Sequence, residues 1–262
     1  MIEVSGAERL PPAAWLGADL GGRQILINGA SGALGRACAL DAASRGATVI
    51  LLGRRVAALE KLYDEIAASG APQAAIYPLS LEGATPSDYA ELGSRLIEQC
   101  GRLDGIVHAA GHLHGLTPIE HFPPEEWLRS LQIGLNAPFL LLKSLLPALR
   151  LSTHARVLFF LDDLERTERA YWGAYGISQA ALRALIGMTA KEWANEPVSV
   201  LGLIPAPLMS NFRRKAVVSE DPATLTAPAR YAPLVSWLLA HADAAWSGQA
   251  IDARSRSMPV LP

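Results

Sequence analysis

From residue 24 onward, short apolar runs alternate with stretches in which apolar residues recur every third or fourth position. The strand-like runs cover 24–28, 48–52, 74–79, 105–109, 156–161, 198–204 and 249–251, and helical patterns lie near 33–45, 55–69, 86–100, 124–149, 174–195 and 230–241. Strands covered on both faces read as continuous apolar runs, and strands alternating with helices specify a parallel sheet with right-handed crossovers. The pattern predicts a single α/β domain over 23–262: a doubly wound, parallel, seven-stranded sheet in the order 3-2-1-4-5-6-7 with helices on both faces. Residues 1–22, with Pro11-Pro12 and Gly21-Gly22, read as a lead-in segment. Residues 205–229 are proline-rich and aperiodic, which marks a lid-like loop.

Half of the 262 residues are apolar, enough for a sizeable core, and the net charge is −2. That balance argues against a nucleic-acid or polybasic membrane partner. The densest basic triplet, Arg213-Arg214-Lys215, reads as a solvated loop. Cys38 and Cys100 have no metal-ligand spacing and read as small core residues in a reducing compartment. The N-terminus has no secretory pattern, and the apolar run 139–149 is interrupted by Lys143 and Pro147, so a cytoplasmic protein without a membrane span is expected.

Candidate chemistry begins at Asn28-Gly29-Ala30-Ser31-Gly32-Ala33-Leu34-Gly35, which follows a strand and opens a helix. Glycines there permit positive φ and close approach of backbone to a pyrophosphate. No Lys-Ser/Thr pair follows, so this is not a Walker loop.

This turn, together with Tyr175, resembles the short-chain dehydrogenase/reductase family, whose fingerprint is Thr-Gly-x-x-x-Gly-x-Gly and whose active site carries Tyr-x-x-x-Lys. More narrowly, 47–54, 102–105, 172–175 and 221–238 are similar to the bacterial YciK-type oxidoreductases of that family. The resemblance implies a Rossmann-type fold and a dinucleotide site at Gly29, Ser31, Gly32, Ala33, Leu34, Gly35, Arg54, Ser80, Ala110, Gly111 and Pro205. Arg54 falls where NADP-selective members carry a basic residue, with an ordinary solvated arginine as the competing reading. Asn28 stands for the fingerprint threonine, Ala33 for its central glycine, Ser80 for the adenine-binding aspartate and Ala206 for the glycine after Pro205.

The catalytic positions depart further. Aligned on Tyr175, the family's serine is Asp162, its lysine Gln179 and its asparagine Gly134, with Asn136 two residues too late. A phenol of pKa about 10 needs a neighbouring cation to exchange protons near neutrality. A glutamine supplies none, and an ionised Asp162 is an acceptor only that would repel a phenolate. Tyr175 therefore has a second reading, as a packing residue with Trp172 and Ile177. The leading expectation is a catalytically degenerate homologue with weakened or lost NADP(H) binding, acting in ligand sensing or interaction. The alternative is an NADP(H)-dependent oxidoreductase acting on a carbonyl or alcohol through Tyr175.

A third option places His112, His114 and Asp162 or Asp163 together as a metal or acid/base site, against loop histidines and helix-capping aspartates. The helical stretches around 127–149 and 174–193 are apolar on more than one face. In the family the corresponding helices pack between subunits, which implies a homodimer or a tetramer.

Overall fold

The computed structural model describes residues 4–6 and 17–254. Its strands are β1 Val4–Gly6, β2 Gln24–Asn28, β3 Thr48–Gly53, β4 Ala75–Pro78, β5 Gly105–His108, β6 Ala155–Phe160, β7 Val198–Pro205 and β8 Ala250–Ala253. They form one parallel sheet in the order β1-β8-β7-β6-β5-β2-β3-β4. Seven strands and their order agree with the expectation; β1 is an addition. Its residues lie in the expected lead-in segment and pair with 250–252, a contact to the β8 edge that a three-residue run cannot announce. Pro11-Pro12 lie outside the described residues.

Between the strands run α1 Ala33–Ser44, α2 Val56–Ala68, α3 Pro86–Cys100, α4 Pro124–Leu131, α5 Ala137–Arg150, α6 Leu164–Thr167, α7 Gly173–Glu192, α8 Asn211–Ala216 and α9 Ala232–His241. Helix α3 starts at a capping box: the Thr85 side chain accepts from Asp88 N, the Asp88 carboxylate accepts from Thr85 N, and Pro86 occupies the first helical position. A single π-helical turn, Gln132–Asn136, joins α4 to α5. The joined helix 124–150 is long and apolar enough to cross a membrane, yet in this fold it packs on α3 and lines the core.

Side chains alternate across the sheet because successive residues of a strand face opposite ways. Ile25 and Ile27 of β2 enter the core beneath α1 and α9, whereas Leu26 enters the core shared with α3, α5 and α7. Both faces are covered, and fully burying each such side chain stabilises by about 1.5–3 kcal/mol. The strand order reverses between β2 and β5, so the loops after them open a crevice at the carboxyl edge of the sheet, where such folds take their ligands.

Candidate active site

The first wall of the crevice is the turn after β2. Gly29 has φ +81, and a Cβ there would stand 2.8 Å from Ala110 N, which packs the turn against Ala109 and Ala110 after β5. Gly35 is equally constrained, since a Cβ would lie 2.3 Å from Gly29 O. Helix α1 begins at Gly32 with no side-chain cap and no acidic residue in its first turn, leaving its positive end for an anion. Ala33 is exposed at that turn, and Leu34 packs into the core behind it. At the end of β3, Arg54 is 62% exposed and 3.7 Å from Glu82, while Arg55 donates to Ser31 O. Ser80 is exposed after β4, and Pro205 is buried at the end of β7. These residues fit a dinucleotide: α1 and its turn would hold the pyrophosphate, and Arg54 a 2′-phosphate.

Asn28 and His108 meet beneath the turn. Asn28 Nδ2 lies 2.7 Å from His108 Nδ1, so the amide donates and the ring nitrogen accepts. Burial pushes the His108 pKa down to about 4, and its Nε2 has no partner.

The second wall carries Tyr175 in the first turn of α7. A Cβ at Gly176 would stand 2.1 Å from Thr167 O, so glycine there lets α7 press against α6. The Tyr175 hydroxyl donates to Asp162 Oδ2 at 3.0 Å. Asp162 Oδ1 accepts from Asp163 N at 2.7 Å and from Arg166. Gln179 Oε1 accepts from the backbone N–H of Asp162 at 2.8 Å. Thus Gln179 does more than omit a cation: it anchors the backbone of the residue whose carboxylate accepts the hydrogen bond of the tyrosine hydroxyl. A lysine ammonium has no lone pair to accept that N–H. Burial first, then the Asp162 charge and hydrogen bond, raises the Tyr175 pKa well above its ordinary value, with Arg166 and Arg213 opposing.

Several expectations are corrected here. Ile177 is 48% exposed and does not pack with Tyr175, whereas Trp172 does, with ring centroids 5.9 Å apart. Asn136 is exposed and bonds Gln132, so it cannot stand in for Gly134. Gly134 itself sits in the π turn, where a Cβ would be 2.6 Å from Ser178 Oγ. His112, His114 and Asp162 do not converge: the two histidines face Glu126 at 2.7 and 3.5 Å, while Asp162 pairs with Arg166. Among the described residues no group of His, Cys, Asp or Glu side chains could hold a metal ion. Asp163 does cap a helix, accepting from Glu165 N at the start of α6.

The aperiodic segment 205–229 is ordered over the site. Its base closes through Met209 N to Thr226 O and Thr226 N to Pro207 O, each 2.9 Å. Helix α8 lays Phe212 against Tyr175 with ring centroids 5.0 Å apart, and Leu113, Trp172, Ala216 and Val217 complete the cluster. Arg213, expected to be solvated, is only 13% exposed and makes a double ion pair with Glu220 at 2.6 and 2.7 Å. Phe212, Arg213 and Arg166 are the site residues that sequence reading missed. A basic triplet and one aromatic in a polar loop carry no periodicity that would point inward.

A parallel doubly wound sheet with a glycine turn at its reversal point and a tyrosine on the facing helix defines a dinucleotide-dependent dehydrogenase scaffold. A short chain dehydrogenase family model matches residues 23–221, and the chain belongs to that family. It is 33% identical to the uncharacterized oxidoreductase YciK of Escherichia coli (strain K12) over 92% of this chain and 96% of the relative. A short chain dehydrogenase structure from Pseudomonas syringae superposes with a TM-score of 0.86 at 34% identity, covering 97% of this chain and all of the other. Another, from Escherichia coli CFT073 and complexed with NADPH, gives 0.86 at 33% identity, covering 90% of this chain and 98% of its own.

Proposed function

We propose that this protein is an NADP(H)-dependent oxidoreductase whose reacting centre is Tyr175 tied to Asp162. The observation that carries the cofactor half is the turn of Gly29 and Gly35 packed on Ala110, with α1 uncapped beside it and Arg54 exposed at the end of β3. The NADPH complex of the Escherichia coli CFT073 relative supports the same choice. When bound, this cofactor supplies or accepts a hydride.

The residues of the chain favour one direction of such chemistry. Alcohol oxidation needs a phenolate as base, and burial beside Asp162 opposes it. Reduction starts from a neutral phenol, the form in which Tyr175 stands here. The methyl of Ala33, exposed at the turn, crowds the place of closest backbone approach and weakens cofactor binding relative to glycine.

A second reading, ligand sensing or protein interaction without turnover, is favoured by the capture of the Tyr175 proton by Asp162. Titration of the purified protein with NADPH, followed by turnover on a panel of hydride acceptors, charged and neutral, separates them. Saturable binding with turnover supports the oxidoreductase. Binding without turnover on any acceptor supports the sensor, and absence of binding removes the first reading.

The assembly proposed is a homodimer, alone or within a tetramer. Leu128 and Phe139, in the 124–150 helix, are 67% and 48% exposed. Ile177 and Met188, 48% and 61% exposed and eleven residues apart, share a face of α7. Symmetric packing of the two helices would cover such residues.

A further inference from the structure

We infer that the site takes a cationic acceptor, an iminium ion, in place of a neutral carbonyl. This rests on the oxidoreductase reading and names the substrate class for it. The first observation is the direction of the Tyr175 proton. A phenol has one O–H, and here it is given to Asp162, so the oxygen turns lone pairs, not a donor, toward anything else that approaches. A carbonyl oxygen finds no proton there. A positively charged C=N⁺ group finds an acceptor oxygen and the carboxylate behind it.

The second observation is the set of rings. Trp172 and Phe212 lie on Tyr175 with centroids 5.9 and 5.0 Å away, and aromatic faces attract cations, most strongly where water is excluded. Tyr175 is 8% exposed beneath α8, so the acceptor enters as Phe212 lifts and is then covered by it.

Three arginines stand nearby, and their charge is answered locally. Arg166 pairs with Asp162, Arg213 pairs with Glu220, and Arg254 bridges Asp163 and Asp252. Three guanidiniums thus face four carboxylates, and a ligand with one positive charge completes the balance.

The chemistry then needs none of the replaced groups. The iminium carbon accepts the hydride as the C4–H bond of NADPH breaks, a C–H bond forms, and the C=N π pair withdraws to nitrogen as a lone pair. The products are a neutral tertiary amine and NADP⁺, and no proton is transferred. Reduction of a ketone would leave an alkoxide needing a proton that Tyr175 has committed to Asp162. Losses at 134, 162 and 179, which disable carbonyl reduction, leave iminium reduction intact.

The test compares N-methyl-3,4-dihydroisoquinolinium with the neutral ketone 1-tetralone of similar shape, using the full chain and NADPH. Binding of an unreactive analogue, N,N-dimethyl-tetrahydroisoquinolinium, is measured separately by tryptophan fluorescence, with and without NADPH. The iminium is expected to be reduced with kcat/KM at least about tenfold above the ketone, and the unreactive cation to bind saturably, as a carboxylate and clustered rings imply. Asp162→Asn and Phe212→Leu should each weaken that binding about tenfold or more. Equal or better use of the ketone, or no binding of the cation with and without NADPH, overturns the inference. Cation binding that depends on Asp162 in a protein that fails to bind NADPH would sustain the cation site and remove the oxidoreductase reading instead.

Discussion

Gln179 accepts the backbone N–H of Asp162 at 2.8 Å, and through that contact it decides where the proton of Tyr175 goes. The two replaced positions are one structural unit. The glutamine fixes the backbone, and the fixed aspartate receives the phenol.

Undoing the unit should restore the family's chemistry. Asp162→Ser with Gln179→Lys removes a negative charge and adds a positive one, so the Tyr175 pKa falls. Ketone reduction with NADPH should rise at least about a hundredfold over the parent, the scale of general acid catalysis. Gly134→Asn added to the pair requires the helices to part at Ser178, because its Oγ and Cβ stand 2.6 and 2.9 Å from the new Cβ. A folded double variant that binds NADPH yet gains no ketone activity would contradict the role given to Asp162.

Arg54→Ala tests the cofactor edge. The guanidinium is 62% exposed and only loosely paired with Glu82, so it is available to a phosphate. Losing one charged hydrogen bond should raise the NADPH dissociation constant about tenfold while leaving that for NADH unchanged. Isothermal titration with both nucleotides reads the ratio.

Much of this was legible in the residues before the fold was known. Apolar runs 24–28, 48–52 and 105–109 placed the strands because buried parallel strands have little latitude. The glycine turn was found for the same reason, since short-range geometry demands that residue type, and Tyr175 was found through the family resemblance. What escaped was set by long-range contact. The inward place of Arg213 depends on Glu220, and β1 exists only against the edge of β8. Nor could spacing show that His112 and His114 turn to Glu126 and leave Asp162 to Arg166.

His108 makes stability depend on acid pH. Its folded-state pKa of about 4 lies below the ordinary 6.5, so the unfolded chain binds the proton more readily. Stability is full above pH 6.5 and falls between there and pH 4, by up to about 3 kcal/mol at one proton per site. Denaturant melts at stepped pH should show that slope, and His108→Gln should reduce it.

The proposed subunit contact can be broken from the surface. A carboxylate at Phe139 or Met188 would be buried in a symmetric interface and left unpaired. Sedimentation velocity should show Phe139→Glu and Met188→Glu as monomers with unchanged helix content. A parent protein that already sediments as a monomer would remove the dimer.

Phe212→Ala should loosen the lid. The ring packs on Tyr175 but is only partly buried, so its loss should cost roughly 1–2 kcal/mol of stability. Limited proteolysis should then cut within 205–229 faster than in the parent, and saturating NADPH should slow the cut again.

The most direct measurement is an equilibrium titration of the unmodified protein with NADPH, followed by nucleotide fluorescence. Saturable binding, tighter for NADPH than for NADH and weakened by Arg54→Ala, is the predicted result. Failure to saturate at millimolar NADPH would contradict the account at its centre.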